Sequence, residues 1–194
     1  NNLAGNGTFV TELISLCSIS NLKESYVYKG TDYTLEDGLT NVAVSTVILG
    51  KTFTLDANAT VSYSDNRNVG TATISWTNDA DGNDVLSGQF EITPKTLTIS
   101  NIKAENKVYD GNTATTVSYT ADVFSGDVVT FGTAATFDNK NVGTDKTVNF
   151  DYTKSGADAN NYKFASATGT AKANITAREL TLSNFAASNK VYDG

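Results

Sequence analysis

Histidine and methionine are absent from these 194 residues, cysteine and proline occur once each, and 14 basic side chains stand against 21 acidic ones. Without histidine, the Ser-His-Asp and Cys-His arrangements of nucleophilic catalysis cannot be assembled, and His-based metal sites go with them. A lone cysteine, Cys17, cannot close an internal disulfide, so it reads as a small apolar strand residue. The net charge of −7 excludes a nucleic-acid face, because phosphates call for Lys and Arg concentrated on one surface. It also disfavours adsorption to anionic lipid. No apolar run reaches the ~18 residues of a membrane helix, so membrane insertion is not expected, and the N-terminus has no signal-peptide pattern.

What is there is a folded β composition. Hydrophobic residues make up 39% and charged ones 18%, with 9 Tyr, 9 Phe and 15 Gly. Thr, Val and Tyr fit a pleated, half-buried surface, while Gly, Asn and Asp serve tight turns. One phrase recurs. Lys107-Val108-Tyr109-Asp110-Gly111 returns as Lys190-Val191-Tyr192-Asp193-Gly194, and Tyr26-Val27-Tyr28-Lys29-Gly30 is a diverged earlier copy. Recurrence at about 80 residues indicates tandem copies of one fold.

Each copy opens on an alternating segment. Cys17-Ser18-Ile19-Ser20-Asn21 aligns with Leu97-Thr98-Ile99-Ser100-Asn101 and with Leu180-Thr181-Leu182-Ser183-Asn184. Farther on, Asn68-Val69-Gly70 aligns with Asn141-Val142-Gly143, and a second alternating strand follows: Ala72, Ile74 and Trp76 in one copy, Val148, Phe150 and Tyr152 in the other. Period-two alternation puts one face of a strand on a core. The copies close on Phe90-Glu91-Ile92-Thr93 and Ala173-Asn174-Ile175-Thr176, leaving almost no linker before the next opening strand. The division is therefore 1–16, the end of a preceding unit or an N-terminal strand; 17–94, a diverged first repeat; 95–177, a second repeat; and 178–194, the opening strand of a third. The chain reads as an excerpt of a longer array. Six or seven strands per copy point to tandem immunoglobulin-like β-sandwich repeats in an elongated rod, with like environments for the matched tyrosines. Residues 120–126 are the one candidate for a short helical turn. Asp158, four residues before Tyr162, has the spacing of a tyrosine corner, in which the hydroxyl caps a backbone group.

The blocks Leu97-Thr98-Ile99-Ser100, Val108-Tyr109-Asp110-Gly111, Ser125-Gly126-Asp127, Asn141-Val142-Gly143, Asp158 to Tyr162 and Ile175-Thr176 occur in one order. Together they resemble the YDG-type repeat domain of large bacterial surface proteins, including filamentous-haemagglutinin-like adhesins. The resemblance implies a secreted, modular, non-catalytic β domain at the bacterial cell surface. It supplies no catalytic residues. The structural motif it marks is Val108, Tyr109, Asp110, Gly111, Asp158, Tyr162, Val191, Tyr192, Asp193 and Gly194.

Each candidate for chemistry has a plainer reading beside it. Asp110 and Asp127 are the obvious acids for a carboxylate pair, yet both flank Gly in turn-like settings, and turn formation is favoured. Asp79, Asp81 and Asp84 crowd a loop whose oxygens suit Ca²⁺, but Glu91 falls one residue late to close an EF-hand-type loop. No cofactor is expected, with Ca²⁺ the weaker alternative. Tyr28, Tyr109 and Tyr192 could stack on sugars. Refilling the same position in every copy favours packing, with the hydroxyl on a backbone partner. A Lys–Asn isopeptide bond at Lys107 or Lys190 is disfavoured, because Tyr26 replaces them in the first copy.

The expected function is a non-enzymatic stalk that projects a distal binding region, a monomer whose partners are the neighbouring repeats of its own chain. The alternative is a binding module that contacts a glycan or host protein weakly through each copy, with Arg67 and Lys140 as natural contacts and avidity supplying strength.

Overall fold

The computed structural model describes residues 18–20, 22–35, 43–48, 51–54, 60–77 and 85–194. Residues 1–16, Cys17, and Asp79, Asp81 and Asp84 lie outside them. Among the described residues the regular structure is β-strand, apart from one 3₁₀ turn at Ala159–Asn161, so the all-β expectation holds. The helical turn considered for 120–126 is corrected. Strand Val117–Ala121 runs into that stretch. Asp122 then accepts bonds from the Thr98 amide at 2.6 Å and the Lys95 ammonium at 2.5 Å, and the chain turns at Ser125 and Gly126 (φ 96°). Side-chain bonds that hold the backbone extended compete with a helix here.

The chain divides into two compact units. The first comprises the described residues up to Thr98 with Ala121–Phe131 and Lys154–Ala165; the second comprises Ile99–Thr120, Gly132–Thr153 and Ser166–Gly194. In the first, a four-stranded sheet runs in the order Ser25–Val27, Val85–Thr93, Gly70–Thr77, Thr60–Ser64. Ala72, Ile74 and Trp76 point to its buried face beside Phe90 and Ile92, as the alternation requires. Burying a side chain of this size stabilises by about 1.5–3 kcal/mol. The same unit holds an antiparallel sheet of Ser18–Ser20, Ala43–Ile48 and Lys51–Thr54. It also holds a parallel pair, Lys95–Leu97 with Tyr162–Phe164.

In the second unit, the sheet order is Lys107–Val108, Thr168–Thr176, Gly143–Ser155, Thr130–Phe137, Ala114–Thr115, with Val117–Ala121 pairing Ile99–Ala104 separately. Both sheets supply its core, which gathers Ala104, Val117, Ala135, Phe137, Val148, Phe150, Ala173 and Ile175.

Register ties the two motif copies together. Tyr26 pairs with Ile92 in parallel, and Gly70 pairs with Ile92 from the other side. Lys107 and Gly143 flank Ile175 in the same way. The next residue on also matches: the Tyr28 amide donates to Thr93 O at 2.8 Å, and the Tyr109 amide to Thr176 O at 2.9 Å. A one-residue slip would turn every side chain to the wrong face, so this agreement is a strong constraint.

Candidate functional site: a buried carboxylate between two tyrosines

The strand Ser25–Val27 delivers Tyr28 to the interior of the first unit, and the chain then turns at Gly30 with φ 81°. That left-handed conformation is open to Gly and resisted by other residues. Tyr28 is 2% exposed. Its ring meets Tyr162 edge-on at 5.4 Å and Phe124 at 5.9 Å. Its hydroxyl donates to Asp127 Oδ2 at 2.7 Å, and the Tyr162 hydroxyl donates to the same oxygen at 2.5 Å. Tyr162 in turn accepts the Phe124 amide at 2.9 Å. The Asp127 side chain is only 1% exposed, and the half-exposed Arg67 guanidinium stands 3.9 Å from its other oxygen.

The surrounding chain is held just as closely. Asp158 accepts the Val128 amide at 2.8 Å. Asn161, itself buried, accepts the Val69 amide at 2.9 Å and donates to Asn68 Oδ1 at 3.0 Å. Lys95 pairs with Asp122 and lies over the Phe124 ring at 5.5 Å. The Asp122 carboxyl falls below its usual range, chiefly through the bond from Lys95.

All of these residues belong to the first compact unit, yet they come from both sequence copies. Tyr28, Arg67, Asn68 and Val69 lie in the first copy, while Phe124, Asp127, Asn161 and Tyr162 lie in the second. The arrangement suits holding more than chemistry. Two phenols saturate one oxygen of a carboxylate that water scarcely reaches, and hydrogen bonds to a buried charge contribute about 1.5–3 kcal/mol each. Among the described residues no group of three or more His, Cys, Asp or Glu side chains could hold a metal ion.

Burial first, and then the hydrogen bond to Asp127, push the Tyr28 phenol up to about 12, and the same causes raise Tyr162 further. The unfolded phenols ionise near 10, so above that pH the unfolded chain gives up protons that the folded chain retains. The stabilisation is therefore complete below about pH 10 and lost as pH climbs toward 12. Denaturant melts from pH 9 to 12 should lose about 2–3 kcal/mol on account of Tyr28, at about 1.4 kcal/mol per pH unit. Tyr28→Phe should reduce that slope by its share and leave the share of Tyr162; an unchanged slope would count against the assignment.

The motif residues take these places. Val27 and Val108 are both about half exposed. Tyr109 is partly buried against the second unit's core. Lys107 pairs with Asp110 at 2.8 Å, and this bond, with the Asn112 amide, lowers the Asp110 carboxyl. Lys190 and Asp193 make the same i, i+3 pair at 2.8 Å. Gly111 and Gly194 have φ of 86° and 85°, close to the 81° of Gly30, and the first two copies bend alike there. Val191 and Tyr192 are 87% and 91% exposed. The expected likeness of the tyrosines therefore holds for the backbone and fails for burial, because burial depends on whether another copy's residues cover the ring.

Asp127 does close a turn, its amide reaching Phe124 O at 3.3 Å, but its carboxylate acts elsewhere. The Tyr28 hydroxyl meets a carboxylate, where a backbone partner was expected, and the Tyr162 hydroxyl meets both. Phe124 and Asn161 were missed. The Asp158 to Tyr162 block contained Asn161, while nothing in the sequence singled out Phe124.

No curated protein and no solved structure matches the chain. A family model does: residues 93–170, which include Phe124, Asp127, Asn161 and Tyr162, match the YDG domain.

Proposed function

We propose that this chain is a stretch of non-catalytic spacer repeats from a bacterial cell-surface or secreted adhesin, holding a distal binding region away from the envelope. In this reading the copies are immunoglobulin-like sandwiches set end to end as a rod, monomeric and extracellular, with their own neighbours as partners. The observation that carries it is the Asp127 carboxylate, shared by a tyrosine from each copy. A side chain committed to joining two copies resists bending between them. Further support comes from the single residue, Pro94, that separates strands Val85–Thr93 and Lys95–Leu97. The net charge of −7 discourages lateral sticking of like rods.

The test is binding. The full chain on a glycan array, and against a panel of extracellular-matrix proteins, should give no saturable signal. Saturable binding that is lost when an exposed residue such as Tyr192 is changed to Ala would favour the binding module.

A further inference from the structure

The second unit carries a groove of about 900 Å³ whose lining includes Tyr109, Gly111, Asn141, Val142 and Leu180. Position by position, these residues match Tyr28, Gly30, Asn68 and Val69 of the first copy and Leu97, which opens the second. Every one of those positions is engaged. Tyr28 bonds Asp127, Gly30 lies against Phe124, Asn68 and Val69 meet Asn161, and Leu97 sits in the strand paired with Tyr162–Phe164. The two glycines share nearly one φ, 81° and 86°, and Tyr109, Val142 and Leu180 are each less covered than their counterparts. Leu97 is 3% exposed and Leu180 85%, while Leu182 and Val142 stand 73% and 54% exposed. Nothing lies within 4 Å of a Cβ placed on Gly111, whereas one on Gly30 would meet the Phe124 ring at 2.8 Å.

We infer that this groove is a docking socket for a further copy of the same repeat, joined through residues 178–194. That copy would present its own counterparts of Phe124, Asp127, Asn161 and Tyr162. The occupant's chemistry follows from the first copy: a carboxylate capped by a phenol for the Tyr109 hydroxyl, an Asn side chain for the Val142 amide, and a strand edge for Leu180. Lys140, in the place of Arg67, would face the incoming carboxylate. The linking segment is already shaped for this role. Asn184 has φ 63° where Asn101 has 55°, and the Lys190–Asp193 pair repeats that of Lys107 and Asp110. A second molecule of this chain would not fill the socket, because its own Asp127 already holds its own Tyr28.

The inference rests on the spacer reading and adds how successive copies are coupled. The experiment extends the full chain beyond Gly194 with a copy of residues 112–177, and follows hydrogen exchange at the Val142 amide. Exchange should slow at least tenfold on extension and return to its original rate when the Asp127→Ala change is made in the added copy alone. Gly111→Ala should lower Tm more in the extended chain than in the present one. Unchanged Val142 exchange, or an equal Gly111→Ala effect in both chains, would overturn the inference. So would an added copy that stays unfolded, since its residues duplicate ones that fold here. Such a failure would leave flexibly joined spacers standing, whereas only glycan or protein binding removes the spacer reading itself.

Discussion

Asp127→Ala should destabilise the first compact unit by about 3 kcal/mol, more than any other change at the shared carboxylate. The substitution strands two buried hydroxyls, and an unsatisfied buried donor costs about 1–3 kcal/mol. The Tyr28 hydroxyl loses its acceptor, and Tyr162 keeps only the Phe124 amide that it already accepts. For a cooperative unit of this size, Tm should fall by roughly 10–15 °C. The milder changes should rank in a fixed order. Tyr162→Phe removes both a donor to Asp127 and the acceptor for Phe124, so it should cost more than Tyr28→Phe, which removes a single donor. Asp127→Asn should cost least, about 1 kcal/mol, because both hydroxyls use one oxygen and an amide oxygen turned to that place can accept from both. Native-state hydrogen exchange supplies the location: Phe90 and Ile92 amides should lose protection while those of Val148 and Ile175 keep theirs. If Asp127→Ala left the first unit's stability within about 0.5 kcal/mol, the range of ordinary surface changes, the carboxylate would not be holding the two copies together.

Why that carboxylate escaped a reading of the sequence has a physical answer. Alternation is a local signal, so Ala72, Ile74 and Trp76, and later Val148 and Phe150, revealed their buried face from their spacing alone. Motif recurrence is equally local. The bends at Gly30 and Gly111 need only their own residues, and even in the exposed third copy Gly194 takes the same φ and Lys190 pairs with Asp193. The role of Asp127 is different, since its partners lie 99 and 35 residues away in the chain. Beside Gly126 it has the appearance of a turn residue, and its backbone does make that turn. Phe124 carried no periodicity, being one aromatic beside Val123 in a stretch without alternation. The Ala159–Asn161 turn is three residues long, too short for any helical period to register. Burial of the motif tyrosine was illegible for the same reason as Asp127. The phrase around Tyr28 and that around Tyr192 set the same backbone, while exposure runs from 2% to 91% according to what covers the ring.

The second large effect is a contrast between two glycines. Gly30 and Gly111 occupy the same motif position and nearly the same φ, 81° and 86°. Replacing either with Ala forces a side chain into the left-handed region, at about 1 kcal/mol, and restricts the unfolded chain by a similar amount in both cases. These contributions cancel in the comparison. What remains is the space beyond the Cβ. At Gly111 it is open, while at Gly30 three atoms of Phe124 lie within 3.0 Å of the new carbon. Phe124 has little freedom to retreat, since its ring packs on Tyr28 and Tyr162 and its amide is bonded to the Tyr162 hydroxyl. Overpacking of this kind costs about 1–3 kcal/mol. Gly30→Ala should therefore destabilise by about 2–4 kcal/mol and Gly111→Ala by about 1 kcal/mol, read from chemical denaturation of the full chain. Phe124→Leu should recover part of the Gly30→Ala loss by giving the methyl room, and should do nothing for Gly111→Ala. Equal losses at the two glycines would mean that Phe124 does not seat against the first copy's turn, and the coupling of the copies would then rest on Asp127 and on the Asn161 bonds to Asn68 and Val69.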